Sequence, residues 1–157
     1  WSGAEYRGRG RETNWKGRAR FEGASIRRMD KINAWNHERK LEQRGRDVVV
    51  FDAITTGNFG GFDVWLDEVT DARFSVETNL GSLNGSLSEI GLEDTVLDAG
   101  GLERKVRIFR LPESNPHRTV TAKIKAPLKT GADNPLWVCV TTEDGFQAWS
   151  SPIYEFR

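Results

Sequence analysis

Apolar and polar positions alternate with a period of two along most of this chain. Successive strand side chains point to opposite faces, so this period marks half-buried β-structure. Residues 62–66 set Phe62, Val64 and Leu66 against Asp63 and Trp65. Residues 74–78 place Phe74, Val76 and Thr78 on one face. Residues 118–125 oppose Val120, Ala122 and Ile124 to Thr119, Thr121, Lys123 and Lys125. Residues 136–142 oppose Leu136, Val138 and Val140 to Trp137, Cys139 and Thr141. In 105–111 both faces are partly apolar, and 47–55 is rich enough in β-branched residues to read as a buried strand. Further strands are predicted at 18–21, 24–29, 95–98 and 148–156. Pro152, inside the last of these, calls for an edge position or a bulge. Leu80, Leu83 and Leu87 sit among Gly and Ser and fit either short strands or a turn. Only 36–44, with Glu38, Lys40, Leu41 and Glu42, fits one or two turns of helix.

Gly and Asn/Asp punctuate the chain about every ten residues, the spacing of a sandwich or barrel. The expected fold is therefore all-β: a two-sheet antiparallel β-sandwich, jelly-roll or Ig-like, of about ten strands and little helix. Residues 15–157 read as one sandwich domain and residues 1–14 as a leader or linker. With Trp1 first and Met29 the only methionine, the chain is expected to be excised from a longer polypeptide.

Composition narrows the chemistry. The 157 residues carry 23 Lys/Arg and 23 Asp/Glu, so no global basic field exists for nucleic acid or an anionic membrane. The balance hides three blocks: 13 basic and 7 acidic residues in 1–50, 1 and 11 in 51–103, and 9 and 5 in 104–157. Such blocks fit either neighbouring strands of one fold or two faces that orient the domain on a partner. Apolar stretches are only a few residues long, so no transmembrane helix is expected. One cysteine, Cys139, excludes an intrachain disulfide and a Cys-rich zinc site. Two histidines, His37 and His117, both in loop contexts, leave little for metal or nucleophilic chemistry. The chain alone is not expected to be an enzyme, and no cofactor is expected.

Individual motifs read the same way. Residues 56–61, Thr-Gly-Asn-Phe-Gly-Gly, are glycine-rich, but they run into a strand and lack a P-loop lysine, so they read as a hairpin connection. Asp63, Asp67, Glu68 and Asp71 crowd the acidic block. Asp63 and Asp67 share a strand face, which separates them by ~13 Å, too far for a glycosidase pair. A small hydrolase using this block ranks last among the functions considered. Calcium could be held by 67–71 or by Glu143, Asp144 and Gly145, yet neither has the ligand spacing of a dedicated loop. Asp144-Gly145 is explained by a turn that needs positive φ. Ser150 and Ser151 lack a nucleophile-elbow context.

Six tryptophans remain to be explained: Trp1, Trp15, Trp35, Trp65, Trp137 and Trp149. Packing against a second layer is the first reading. Carbohydrate binding through Trp65 and Trp137, which oppose the aliphatic strand faces, is the alternative. Arg7, Arg9 and Arg11, followed by Trp15, Lys16, Arg18 and Arg20, form a basic arm that reads as a leader or docking strand rather than a nucleic-acid site.

The closing stretch carries a resemblance. Residues 133–141 read Asp-Asn-Pro-Leu-Trp-Val-Cys-Val-Thr, and 143–154 read Glu-Asp-Gly-Phe-Gln-Ala-Trp-Ser-Ser-Pro-Ile-Tyr. This ending resembles the C-terminal region of a bacterial family of uncharacterised proteins, a domain of unknown function related to PHP (polymerase and histidinol phosphatase) metal-dependent phosphoesterases. Weaker matches lie at 15–17, 32–36, 63–67 and 109–117. The resemblance implies a β-sandwich appended to a hydrolase domain, with no catalytic residues in this chain. The expected partner is that catalytic domain, in the same parent polypeptide. In this reading Asp144, Gly145, Trp149, Ser150, Ser151 and Pro152 are structural: the turn sets the register of a closing hairpin and Trp149 fills core. Trp1, Trp15 and the basic leader form the linker side.

Overall fold

A computed structural model describes residues 1–3, 10–33, 40–67, 71–114, 119, 121–142 and 147–155. Among them all regular structure is β apart from one 3-10 turn, Leu87–Glu89. Every strand pair is antiparallel, and the sheets are small, several and open, with no barrel. The expected all-β class is observed. The described residues hold fifteen short strands rather than about ten: the strands expected at 136–142 and 148–156 each fall in two pieces, and Ser2–Gly3, Lys40–Arg44, Asn58–Phe59 and Gly81–Ser86 add others. The chain forms two compact units, Trp1–Leu111 and Pro112–Arg157.

The first unit contains β1 (Ser2–Gly3), β2 (Thr13–Glu22), β3 (Ser25–Ile32), β4 (Lys40–Arg44), β5 (Val48–Thr55), β6 (Asn58–Phe59), β7 (Gly61–Asp67), β8 (Arg73–Thr78), β9 (Gly81–Ser86), β10 (Thr95–Asp98) and β11 (Lys105–Ile108). Its largest sheet runs β4-β5-β2-β8-β9, beside a four-stranded sheet β10-β11-β1-β6 and a two-stranded ribbon β3-β7. Strand β2 lies at the centre of the largest sheet and alternates strictly. Thr13, Trp15, Ala19 and Phe21 are buried, while Asn14, Lys16, Arg18 and Arg20 face water. Strands β5 and β8 add Val49, Phe51, Phe74 and Val76 to the same buried face. That face meets Ile26 of β3 and Val106 of β11, with Phe62, Val64 and Leu66 of β7 packed around the cluster.

Two glycines are required by this packing. A Cβ on Gly17 would lie 2.2 Å from the Glu77 carbonyl oxygen and 2.7 Å from the Phe51 ring, which covers the gap in β2. Gly23, at φ +78, makes the tight turn into β3, where the Ala24 N–H donates to the Phe21 carbonyl.

The segment read as helical is a strand where it is described. Lys40–Arg44 pairs residue by residue with β5, and Leu41 is buried in the core. Its Glu, Gln, Lys and Arg favour a helix only weakly, and the pairing with β5 overrides that preference. Lys40 stands opposite Asp52, a favourable cross-strand pair. Residues 36–39, with His37, lie outside the described residues.

The expected leader supplies structure at both ends. Ser2–Gly3 pairs with β6 and β11, the Trp1 ring stacks on Phe51 at 4.3 Å, and the Trp1 amino group donates to the Gly60 carbonyl. Trp15, placed on the linker side by sequence, is fully buried, and its indole N–H donates to Thr55 Oγ1 at 2.8 Å. The glycine-rich 56–61 stretch is a turn into β6 and β7, closed by the Thr56 N–H donating to Asn58 Oδ1.

The second unit contains β12 (Asn134–Leu136), β13 (Cys139–Thr141), β14 (Gln147–Trp149) and β15 (Ile153–Glu155). The strand expected at 118–125 is not observed. Its described residues, 119 and 121–125, are exposed and belong to no ladder, and Ile124 is 86% exposed. An alternating pattern makes a strand only when a neighbouring edge completes its hydrogen bonds.

Candidate functional site

The Pro112–Arg157 unit is organised around a broken hairpin. Its outer end pairs Asn134, Pro135 and Leu136 with Glu155, Tyr154 and Ile153. Its inner end pairs Cys139, Val140 and Thr141 with Trp149, Ala148 and Gln147. Between them Val138 and Ser150 bond to each other: the Ser150 N–H donates to the Val138 carbonyl, and the Val138 N–H donates to Ser150 Oγ. From Leu136 to Val138 one strand advances by one intervening residue, Trp137. The other crosses two, Ser151 and Pro152. This is a β-bulge, placed where proline cannot donate to the ladder.

Asn134 anchors the hairpin's outer end. It is buried, and its amide is satisfied within the turn that precedes it. Oδ1 accepts from the Lys129 N–H at 2.8 Å, and Nδ2 donates to the Lys129 and Ala132 carbonyls. Sequence reasoning assigned this residue no role. The available signal was an Asn before a proline at a loop–strand junction, where a short amide side chain closes local turns.

Directly opposed residues share a sheet face, so the register sorts the side chains. Cys139 and Trp149 share one face with Thr141 and Gln147, whose side chains hydrogen-bond. Alternation brings Trp137, Pro135 and Tyr154 to that side, giving an aromatic face. The other side carries Leu136, Val138, Val140 and Ile153 as an aliphatic face. The three rings are 54–60% exposed and the four aliphatic side chains 36–71% exposed. Trp149, which sequence reading expected to fill core, is exposed, and among the described residues no second layer of its own unit covers the ribbon. Asp144 and Gly145 lie outside the described residues, as does His117. Ser150 serves the ladder through its hydroxyl, and Ser151 and Pro152 form the bulge.

The second sequence-nominated ring lies in the other unit. Trp65 on β7 is half-buried opposite Arg28 on β3, and the Arg28 guanidinium sits 4.4 Å above its ring centroid. Arg28 also pairs in bidentate fashion with Asp30, whose hydrogen bond raises the already high guanidinium pKa. One face of Trp65 is thus occupied by a cation rather than open for a sugar ring. Trp65 and Trp137 belong to different units.

Two carboxylates of the acidic block, Asp63 and Asp67, lie on the β3-β7 ribbon. Asp63 lies across the ribbon from Asp30, and Asp67 is 3.8 Å from Arg27. Residues 68–70 of one calcium candidate and 143–146 of the other lie outside the described residues. Among the described residues no group of three or more His, Cys, Asp or Glu is placed to hold a metal ion.

No family model matches the chain, and neither a curated protein nor a solved structure matches it.

Proposed function

We propose that this chain is a non-catalytic accessory domain of a larger polypeptide. In that polypeptide the Pro112–Arg157 unit packs on a neighbouring PHP-like hydrolase domain of unknown substrate. The Trp1–Leu111 unit is read as a two-sheet sandwich body, in line with the one-sided core of its five-stranded sheet. The observation that carries the docking role is the state of the smaller unit. Among its described residues no apolar side chain is buried, and the one buried side chain is the polar Asn134. A two-stranded hairpin is marginal alone, and below about 70–80 residues a single core rarely supplies more than about 3–5 kcal/mol. Exposed tryptophan and tyrosine beside aliphatic residues is the composition of an interface.

Replacing Trp137 and Trp149 by Phe tests this reading. In the isolated chain the substitution should remove red-shifted, iodide-quenchable emission. In the natural polypeptide it should remove blue-shifted, iodide-protected emission. Iodide-accessible rings in both contexts contradict docking. A second reading, glycan binding, draws on the aromatic face with Thr141 and Gln147 beside its rings. A saturable emission shift with a soluble glycan would favour it over docking.

A further inference from the structure

We infer that the open edge of β7 receives the polypeptide that precedes Trp1, added as a strand that prolongs the β1–β6 ladder. This inference rests on the reading of the chain as part of a larger polypeptide, and it specifies how the larger unit is joined to what precedes it. The ladder already reaches the start of β7. Ser2 and Gly3 pair with Phe59 and Asn58. Trp1 continues that register by exchanging two hydrogen bonds with Gly60. Its amino group donates to the Gly60 carbonyl at 2.7 Å, and the Gly60 N–H donates to the Trp1 carbonyl at 2.8 Å. A peptide N–H at Trp1 makes the same bond as the amino group, so the pairing runs on unchanged when residues precede it.

The alternation of the backbone fixes where the ladder goes next, because successive strand residues turn their N–H and C=O groups to opposite edges. The Phe59 carbonyl faces the β3 side, where it accepts from Asn33 Nδ2, and β3 pairs along β7 from Gly61 to Asp67. Gly60 faces the β1 side, and Phe62, Val64 and Leu66 follow it there. Among the described residues that edge of β7 pairs with no strand. With Trp1 opposite Gly60, the first preceding residue stands opposite Gly61, and the second, fourth and sixth stand opposite Phe62, Val64 and Leu66. Directly opposed residues share a sheet face. Trp1 points inward, stacked on Phe51 and tilted against Phe62, so those three preceding residues point inward too. The core is incomplete at that place. Phe62, Val64 and Leu66 pack against it but stay half-buried, whereas Val49 and Phe51 of β5 and Phe74 and Val76 of β8 are buried. The strand that fits is apolar at its second, fourth and sixth places before Trp1 and polar at the third and fifth, opposite Asp63 and Trp65.

The test is amide exchange resolved to single residues of β7, in the natural polypeptide and in the chain that begins at Trp1. In the latter, the N–H groups of Phe62, Val64 and Leu66 should exchange about tenfold or more faster than those of Asp63 and Trp65, which point to β3. In the natural polypeptide the two sets should exchange at similar rates. Prolines at the second and fourth places before Trp1, which a ladder there does not accept, should bring fast exchange back at Phe62 and Val64. Fast exchange of the three residues in both contexts overturns the inference. Protection that survives the prolines also overturns it, since another element then covers the edge. The docking role of the Pro112–Arg157 unit is read separately, by its tryptophan emission, and stands or falls on that result.

Discussion

Thr55→Val probes a buried polar contact at the centre of the larger unit. Thr55 and Trp15 are both fully buried, and the indole N–H donates to the hydroxyl at 2.8 Å. Valine keeps the shape and the β-branching of threonine, so little volume changes. What changes is that the Trp15 N–H loses its acceptor in a place water does not reach. An orphaned buried donor costs about 2 kcal/mol. With a urea m-value of about 2 kcal/mol/M, the midpoint should fall by about 1 M. Far-UV circular dichroism is the suitable probe, since it does not depend on the indole itself. Thr55→Ser keeps the oxygen and should cost less than Thr55→Val. Trp15→Phe in the Thr55→Val background should be less damaging than the two single changes predict, because both remove the same bond. A Thr55→Val midpoint within about 0.2 M of the parent protein would refute the reasoning.

Other substitutions test separate features. Gly17→Ala should destabilise the larger unit by about 3 kcal/mol, since the new methyl meets the Glu77 carbonyl and the Phe51 ring; a thermal melt checks it. Glu103→Gly should stabilise by roughly 0.5–1 kcal/mol, because Glu103 holds φ +53 at an exposed turn; unchanged urea stability would count against strain there. Arg28→Ala removes an exposed ion pair and a ring contact, so the urea midpoint should move only slightly at low salt and less still in 1 M salt. Asn134→Ala should release the Lys129–Asn134 turn and speed amide exchange at Lys129 without moving the melting of the larger unit.

The larger unit was legible in the sequence wherever one strand face is wet. Trp15, Ala19 and Phe21 alternate with charged residues, and that alternation is the burial observed in β2. It was less legible where long-range pairing decides the outcome. Lys40–Arg44 looks helical by composition, but its backbone is claimed by β5. Trp1 lies in a glycine- and arginine-rich stretch, and only its stacking on Phe51 reveals a packing role. Pro152 falls between β14 and β15, and its missing N–H is a local property visible in sequence. The place of Trp149 was misjudged because an aromatic residue on a strand signals something to be covered without naming what covers it. Trp65 and Trp137 were paired by similar surroundings in sequence; their neighbours separate them, one under Arg28 and the other on an open ribbon.

Amide hydrogen exchange of the isolated chain, resolved by residue, tests the central claim most directly. The account holds that the larger unit carries its own core and the closing hairpin waits for a cover. Amides of β2, β5 and β8 should then exchange only through global unfolding. Those of β12 to β15 should exchange orders of magnitude faster, through local opening. Equal protection of the hairpin and the central strands in the isolated chain would mean that the hairpin is already covered, and the account would be wrong.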